Sequence, residues 1–589
     1  MLGFRLLGEK MTKNTIIAII LSTIVFLGSV FIQQKFFPAP AQSEQTVETQ
    51  SENVSENNEA KKDSGLVSIE NSKAEAFEEQ KIVVTTKYAE IELTNRGGDI
   101  VSYKLLNHID VDTKEGIQMV DNVTEFNRAC ALAFGDEKAG VLNDLFNVKK
   151  EGENTYLFTK NYSIKNEDGT TAKFILGKRY TFDPESYMFK LDVLLHGDGI
   201  NNLSYTLRTA PQMGPHFNPK LNRYENRQFI TFNGGKSKKQ VLGTKQFKPY
   251  DKVKSYIWNG IAGKYFTQLI IPENSEKMGI SYYSTLIETN DYANAQAILV
   301  RNPINENDVK DSYYMYFGPK DEKALKIFNL AERNTWGLSG LHLNECLNSN
   351  GWLGWLETIL KWIMEIINKF VHNWGVSIIL MTIFIKLLMF PFTKKQSLGT
   401  LKMQEIQPKM QALQAKYKDN QPKLQEEMAK LYKDANYNPM SGCLPMLVQF
   451  LILFAMYNLF NNYFEFRGSS FIPHWIEDLS SGDTVHTLKF DIPYFGNQVR
   501  ILPFIYLASQ LLFGKITGNG GTTAPGTSQA QMQMMMYVMP ILFFAMFYNA
   551  PAGLLLYWTV SNLFQMGQQI IINKIMKQKK AEMAVKNKK

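Results

Sequence analysis

Apolar positions along this chain follow two rules. Between Lys81 and about Lys320 they alternate with polar ones. Ala89, Ile91 and Leu93 are interleaved with Tyr88, Glu90 and Glu92, Asn95-Arg96-Gly97-Gly98-Asp99 makes a turn, and Ile100–Leu105 resumes the pattern. Period two marks half-buried strands, and Tyr187–Leu195 and Tyr313–Phe317 are further aromatic and β-branched runs. Many short strands joined by polar turns predict a large antiparallel sandwich. Elsewhere the apolar residues form unbroken runs: Ile16–Ile32, Gly375–Phe392, Cys443–Phe460, Val499–Phe513, Met534–Tyr548 and Ala552–Ile572. These are six candidate membrane spans. The predicted fold class is therefore a multi-domain membrane protein, an α-helical transmembrane bundle joined to an all-β domain.

The first run has 17 residues, near the lower limit for crossing a bilayer. Ala39-Pro40-Ala41 resembles a signal-peptide cleavage site, but the run is long for such a peptide and Lys35 interrupts the approach. An uncleaved signal anchor is the favoured reading. Residues 42–80 carry ten acidic residues against three lysines and few large apolar ones, so they predict a disordered tether. Gly351–Asn373 mixes Trp352, Trp355, Leu356, Ile359, Trp362, Ile363 and Ile366 with Glu357, Lys361, Glu365 and Lys369, as an amphipathic helix in a membrane interface would. The expected organisation is an anchor over 1–35, a tether over 36–80 and a sandwich over 81–335. A linker with the interfacial helix follows over 336–374, then a transmembrane core over 375–573 with a helical hairpin at 393–440, and a basic tail over 574–589.

Charge orients these parts. The net charge of +8 comes from 64 Lys and Arg against 56 Asp and Glu. Nine lysines lie in the 393–442 loop and seven follow Ile572, whereas the 465–498 loop has Arg467 and Lys489 against five acidic residues. The positive-inside bias places both termini and the 393–442 loop in the cytoplasm and the sandwich outside. The hairpin is read from Leu413 and Tyr417 on one arm, Asn420-Gln421-Pro422 at the turn, and Leu424, Met428 and Leu431 on the other. Its lysines and those of the tail form a solvated surface, or a surface for anionic lipid or ribosomal RNA.

Enzyme signatures are missing. Gly234-Gly235-Lys236-Ser237 imitates the end of a P-loop, but Ile230 stands where its first glycine belongs. There is no H-E-x-x-H and no G-x-S-x-G. Three cysteines, Cys130, Cys346 and Cys443, make neither a disulfide framework nor a metal pair. No enzyme activity, cofactor or metal is expected.

The sharpest single residue is Lys386, inside Ile383-Phe384-Ile385-Lys386-Leu387-Leu388. A lysine at the centre of a spanning helix costs about 2.5–3.5 kcal/mol on insertion scales, so it should face a wet cavity, with Thr382 one turn back. Snorkelling to the cytoplasmic surface is the alternative. The last run carries Tyr557, Ser561, Gln565 and Gln568 at helical spacing, beside Trp558, Asn562 and Gln569. With Gln449 of the third run these could line one polar groove, or simply bond helix to helix. The runs Val499–Phe513 and Met534–Tyr548 have 15 residues each, about 22 Å of helix, so the bilayer should thin beside them.

Over about residues 351–580 the chain resembles the YidC/Oxa/Alb family of membrane protein insertases. The resemblance rests on Trp374-Gly375-Val376-Ser377-Ile378-Ile379, Pro391-Phe392-Thr393-Lys394, Lys402-Met403, Gln407-Pro408-Lys409 and Leu431-Tyr432-Lys433. It continues through Asn438-Pro439, Gly442-Cys443-Leu444-Pro445, Pro551-Ala552-Gly553-Leu554 and Val560-Ser561-Asn562-Leu563. Trp258-Asn259-Gly260 and Tyr316-Phe317-Gly318-Pro319-Lys320 extend it, more weakly, into the sandwich. The resemblance implies a five-helix insertase core, a periplasmic β-supersandwich and a groove open to cytoplasm and lipid. Its groove residues here would be Lys386, Thr382, Gln449, Tyr557, Trp558, Ser561, Asn562 and Gln565. Many members carry arginine where Lys386 stands, and lysine keeps the charge without the bidentate fork. A second tyrosine is frequent where Trp558 stands. The implied partners are nascent membrane proteins, Sec translocon subunits, membrane lipids, and the ribosome through Lys402, Lys409, Lys416, Lys423, Lys574, Lys577, Lys579 and Lys580. A polytopic small-solute transporter and a membrane-anchored carbohydrate enzyme are the competing readings. The first would show paired repeats, which are not apparent here, and the second clustered catalytic groups.

Overall fold

The structure, a computed structural model, describes residues 69–71, 78–110, 113–165, 171–197, 200–215, 225, 227–241, 256–285, 295–347, 353–417, 420–435, 440–519 and 537–586. The predicted anchor at 1–35 and most of the predicted tether at 36–80 lie outside them.

The alternating segments form three antiparallel sheets. The largest has ten strands: β1 (Ile69–Asn71), β7 (Asn147–Gly152), β8 (Thr155–Lys165), β9 (Thr171–Phe182), β10 (Met188–Gly197), β12 (Gln228–Phe232), β13 (Ser237–Val241), β14 (Trp258–Ala262), β15 (Phe266–Pro272) and β18 (Asp308–Pro319). Its order is β1-β8-β9-β10-β18-β15-β14-β12-β13, with β7 also on β8. A four-stranded sheet orders β2 (Lys81–Thr85), β3 (Ala89–Thr94), β4 (Asp99–Ile109) and β5 (Gly116–Gln118) consecutively. Another orders β16 (Met278–Thr285), β17 (Ala295–Arg301), β11 (Tyr205–Arg208) and β6 (Leu132–Phe134).

Register sorts the large sheet into two cores. On β18, Val309, Tyr313, Met315 and Phe317 enter the core shared with the smaller sheets, while Tyr314 and Tyr316 enter a second core behind. That second core is closed by α1 (Glu322–Lys326) and the chain after it, through Leu325, Phe328, Leu341, Leu343 and Cys346. Strand β18 is apolar on both faces, and this segment covers its outer face. Strand β1, from the segment read as tether, pairs with β8 at Ile69↔Ile164. The P-loop imitation is the β12–β13 hairpin, whose turn uses Gly234 at a φ of +94°, and a strand, β13, follows the turn directly.

The C-terminal half is helical. Helix α2 (Gly354–Val371) leads to α3 (Trp374–Lys416), α4 (Gln421–Asp434), α5 (Met440–Asn462), α6 (Leu502–Asn519), α7 (Met539–Phe547) and α8 (Ala552–Lys586). Among the described residues one helical segment, Trp374–Lys394, has the length and hydropathy of a full span, and Leu502–Ile516 is a shorter apolar helix. α3 runs on through Pro391 and Pro408 into the first arm of the expected hairpin. A proline inside a helix removes one backbone bond and kinks it, so it does not end the helix by itself. α4 starts as read, with the Asn420 side chain accepting from the Lys423 amide at 3.2 Å and Pro422 in the first turn.

Helix α2 has two apolar faces. Leu356, Leu360, Ile363, Met364 and Ile367 face the bundle, while Trp355, Ile359, Trp362 and Phe370 are exposed. Helix α8 packs on α3, α5 and α6. At the head of α3, Gly375 admits the Phe471 ring, where a Cβ would come within 2.2 Å. The sandwich meets the helices through the segment after α5. Arg467 lies over the Phe266 ring at 4.9 Å and donates to the Ile109 carbonyl at 3.1 Å, and Phe464 packs on His108 and Tyr265. Lys361 of α2 pairs with Glu322 of α1 at 2.6 Å.

Candidate functional site

Three helices bring polar groups to one small cavity. α3 supplies Lys386, Ile385, Met389 and Thr393, α5 supplies Gln449 and Ile452, and α8 supplies Tyr557, Gln565 and Gln568. The cavity holds about 30 Å³, room for a water molecule or two. Lys386 Nζ donates to Gln565 Oε1 at 3.3 Å, and Gln568 Nε2 donates to the Lys386 carbonyl at 3.0 Å. The Tyr557 ring is buried against Phe460. Among the described residues no carboxylate pairs with Lys386. The lining mixes amide, hydroxyl and apolar side chains, and it leaves one cation with a neutral partner.

Helical geometry explains this grouping. From Lys386, Met389 and Thr393 are three and seven residues on, and Ile452 is three from Gln449. On α8 the spacing from Tyr557 to Gln565 is eight residues and to Gln568 eleven, a stripe of one face. The sequence placed four of its site residues at this cavity: Lys386, Gln449, Tyr557 and Gln565. Gln568, read from the sequence in the same polar stripe, lines it too, whereas Met389, Thr393 and Ile452, which the same spacings would have found, were passed over.

The other four expected groove residues lie elsewhere. Thr382 is fully buried, and its hydroxyl donates back to the Ile378 carbonyl at 2.6 Å instead of entering the cavity. Such a bond within the helix satisfies a hydroxyl without any partner across the bundle. Trp558 points to α6 and α7, its ring 5.6 Å from Tyr506 and 4.6 Å from Phe547. Asn562 donates to Ser509 Oγ at 3.0 Å and so ties α8 to α6. Ser561 is buried and does not line the cavity. Asn458 faces away from Gln449, donating to Glu357 of α2 at 3.1 Å.

The basic residues expected to meet ribosome or lipid lie on the two long helical extensions. Lys409 and Lys416 are exposed at the end of α3, Lys423 at the start of α4, and Lys574 and Lys577 near the end of α8. Lys416 and Lys423 flank the Tyr417 ring at 5.2 and 5.8 Å. Lys402, Lys579 and Lys580 lie in these helices, with side chains outside the described residues. The tail is not a separate coil, since α8 continues to Lys586. Among the described residues no group of His, Cys, Asp and Glu side chains is arranged to hold a metal.

A β-sandwich carried on a helical membrane region, with a polar cavity between the helices, defines a class of two-part integral membrane protein. Comparison with known proteins narrows it. A family model described as the YidC periplasmic domain matches residues 81–364, and one described as the 60Kd inner membrane protein matches 366–580. The membrane protein insertase YidC of Treponema denticola is 43% identical, over 96% of this chain and all of its own. That of Treponema pallidum is 37% identical, over 96% of this chain and 99% of its own. A solved structure, an active YidC insertase with its first transmembrane domain resolved, aligns over 93% of this chain and 98% of its own, at 17% identity and a TM-score of 0.34. The chain belongs to the YidC family, inner-membrane proteins with a β-rich periplasmic domain.

Proposed function

We propose that this chain inserts hydrophobic segments of nascent membrane proteins into the inner membrane, and that Lys386 is the group that draws their polar flanks into the bundle. The observation that carries this reading is an amino group that, among the described residues, is hydrogen-bonded to a neutral amide, Gln565, at 3.3 Å and to no carboxylate. A cation in such a place gains most by meeting an anion, and an incoming acidic segment supplies one. Gln449, Gln565, Gln568 and Tyr557 offer hydrogen bonds to an unfolded backbone in transit, and Ile385, Met389 and Ile452 tolerate its apolar side chains. Since the cavity holds about 30 Å³, α5 and α8 separate as the segment enters.

The topology that suits this role has six spans. Both termini and the 393–440 hairpin are cytoplasmic, and the sandwich is periplasmic. The chain works alone or beside the Sec translocon. The exposed lysines of α3, α4 and α8 approach the translating ribosome or anionic lipid. The chain performs no covalent chemistry and needs no cofactor.

The test is reconstitution. Proteoliposomes holding the full chain should protect the translocated end of a small single-span protein with an acidic N-terminal tail from added protease, and empty liposomes should not. Equal protection in both would overturn the assignment.

A further inference from the structure

Between α5 and α6 the chain forms a two-stranded hairpin, β19 (Thr484–Ile492) and β20 (Gly496–Arg500), that belongs to neither the sandwich nor the bundle core. Its exposed side chains are unusually apolar: Phe490 is 65% exposed, Tyr494 50%, and Val485 and Ile492 40%. Phe490, Ile492 and Tyr494 are exposed beside the exposed Lys489 and Asp491, where the pairing with β20 is irregular between Thr487 and Ile492. An isolated two-stranded hairpin is marginal in water, and an apolar patch of this kind marks a contact surface.

The base of the hairpin is fixed. Asp483 Oδ2 accepts from the amides of Ile501 and Leu502 at 3.0 and 2.6 Å and from the Trp475 indole at 3.1 Å. Tyr548 Oη donates to the Gln498 carbonyl at 3.0 Å and accepts from the Arg500 amide at 3.2 Å. Helix α6 starts two residues after β20 ends, so the hairpin stands at the level where that helix enters the membrane. Its apolar face is also continuous with the helices. Tyr494 contacts Phe495, which packs on Phe544 and Tyr548 of α7, and Phe544 packs on the exposed Phe504 of α6.

We infer that the β19–β20 hairpin lies on the membrane surface, with Phe490, Ile492 and Tyr494 in the outer-leaflet interface and Lys489 and Asp491 in water. The choice of leaflet rests on the topology proposed above. The partner is lipid because the patch prolongs the surface that α6 and α7 turn outward, where Phe504, Ile505, Ile541 and Leu542 are exposed. Aromatic rings favour the interface, where one end is apolar and the other wet. Depth is limited by the backbone. The outer edges of a two-stranded hairpin carry unpaired amides and carbonyls, which headgroups and water satisfy but hydrocarbon does not. Only side chains enter the acyl region.

Spin labels at Phe490→Cys, Ile492→Cys and Asp491→Cys of the full chain, with Cys443→Ser and in proteoliposomes, test this; Cys130 and Cys346 are buried. Collision with oxygen relative to a water-soluble nickel chelate should be several-fold higher at 490 and 492 than at 491. Equal, high collision with nickel at all three positions would place the hairpin in water and overturn the inference. Shielding of 490 and 492 from both reagents would show a protein partner or a second copy there, and would overturn it equally. Sidedness is read separately: a membrane-impermeant maleimide should label Asp491→Cys in spheroplasts. Failure to label would overturn the proposed topology and the leaflet, while the spin labels still report lipid contact.

Discussion

Two lysines in this molecule, the buried Lys178 and the half-buried Lys386, live in opposite ways. Lys178, at the centre of the sandwich, is fully enclosed and fully partnered. It bonds the Asp99 carboxylate and donates to the Gly97 and Cys130 carbonyls at 3.0 and 2.9 Å. Asp99 is held in addition by Arg128 at 2.8 Å. Burial pushes the Lys178 ammonium below the usual lysine range, with Asp99 opposing. Lys386, in the bundle, has one amide oxygen at 3.3 Å. A closed network such as the first is a structural fixture, because each member compensates another. A cation left with a neutral partner keeps its attraction for an anion that is not part of the fold. The same residue type therefore serves architecture in one domain and, on our proposal, substrate capture in the other.

The largest effect should come from opening the closed network. Asp99→Ala leaves Lys178 and Arg128 buried without their carboxylate, and should lower the stability of the sandwich by about 3–5 kcal/mol. Thermal unfolding of the full chain in detergent checks this, and the sandwich transition should move down or vanish. Lys386→Ala in the same assay should leave the transition where it is. A comparable loss in both variants would erase the contrast.

A smaller effect should follow pH. His108 packs between Phe266 and Phe464, with Tyr187 Oη at 2.9 Å from Nε2. Burial, with Arg467 nearby, lowers its pKa to about 4. The folded value lies below the usual value of about 6.5, so the unfolded chain takes up the proton first. The contribution to stability is full above about pH 6.5 and is lost as pH falls towards 4. Melting of the wild-type sandwich should drop over that window, and His108→Phe should flatten the profile.

Thr382→Val sharpens the comparison within α3. Its hydroxyl bonds only its own helix, so insertion should be unchanged, whereas Gln565→Leu, which removes the partner of Lys386, should slow it. Equal slowing by both would mean that the bond within the helix does not describe Thr382 in the working protein. The smallest effect should be that of Lys430→Ala. This exposed residue pairs with Glu426 and Glu427 at 2.8 and 3.0 Å, and its loss should leave the melting temperature unchanged, because solvent screens exposed pairs.

Much of this was legible in the sequence. Period two exposes strands because their side chains alternate between core and solvent, as Ile91 and Leu93 do against Glu90 and Glu92. It fails where a strand is covered on both sides, as β18 is. Lys386 stood out because a charge in an apolar run has few neutral explanations. The facing helix was harder. α8 is polar on more than one side, and sequence alone does not say which side meets α3 and which meets α6. Gln565 and Asn562 therefore looked equivalent, although one reaches Lys386 and the other Ser509. Thr382 was misplaced because one helical turn of spacing does not say whether the neighbouring helix is still alongside. The β19–β20 hairpin was hidden by its length and by the apolar run of α6 that follows it.

The central claim is that the Lys386 charge acts on substrate and not on the fold. The most direct measurement is the insertion rate into proteoliposomes of two single-span substrates that differ only in an acidic or a neutral tail. Wild type and Lys386→Arg should insert the acidic tail faster than the neutral one, and Lys386→Ala should insert both at the same, lower rate while melting like wild type. An alanine variant that still prefers the acidic tail would contradict the account.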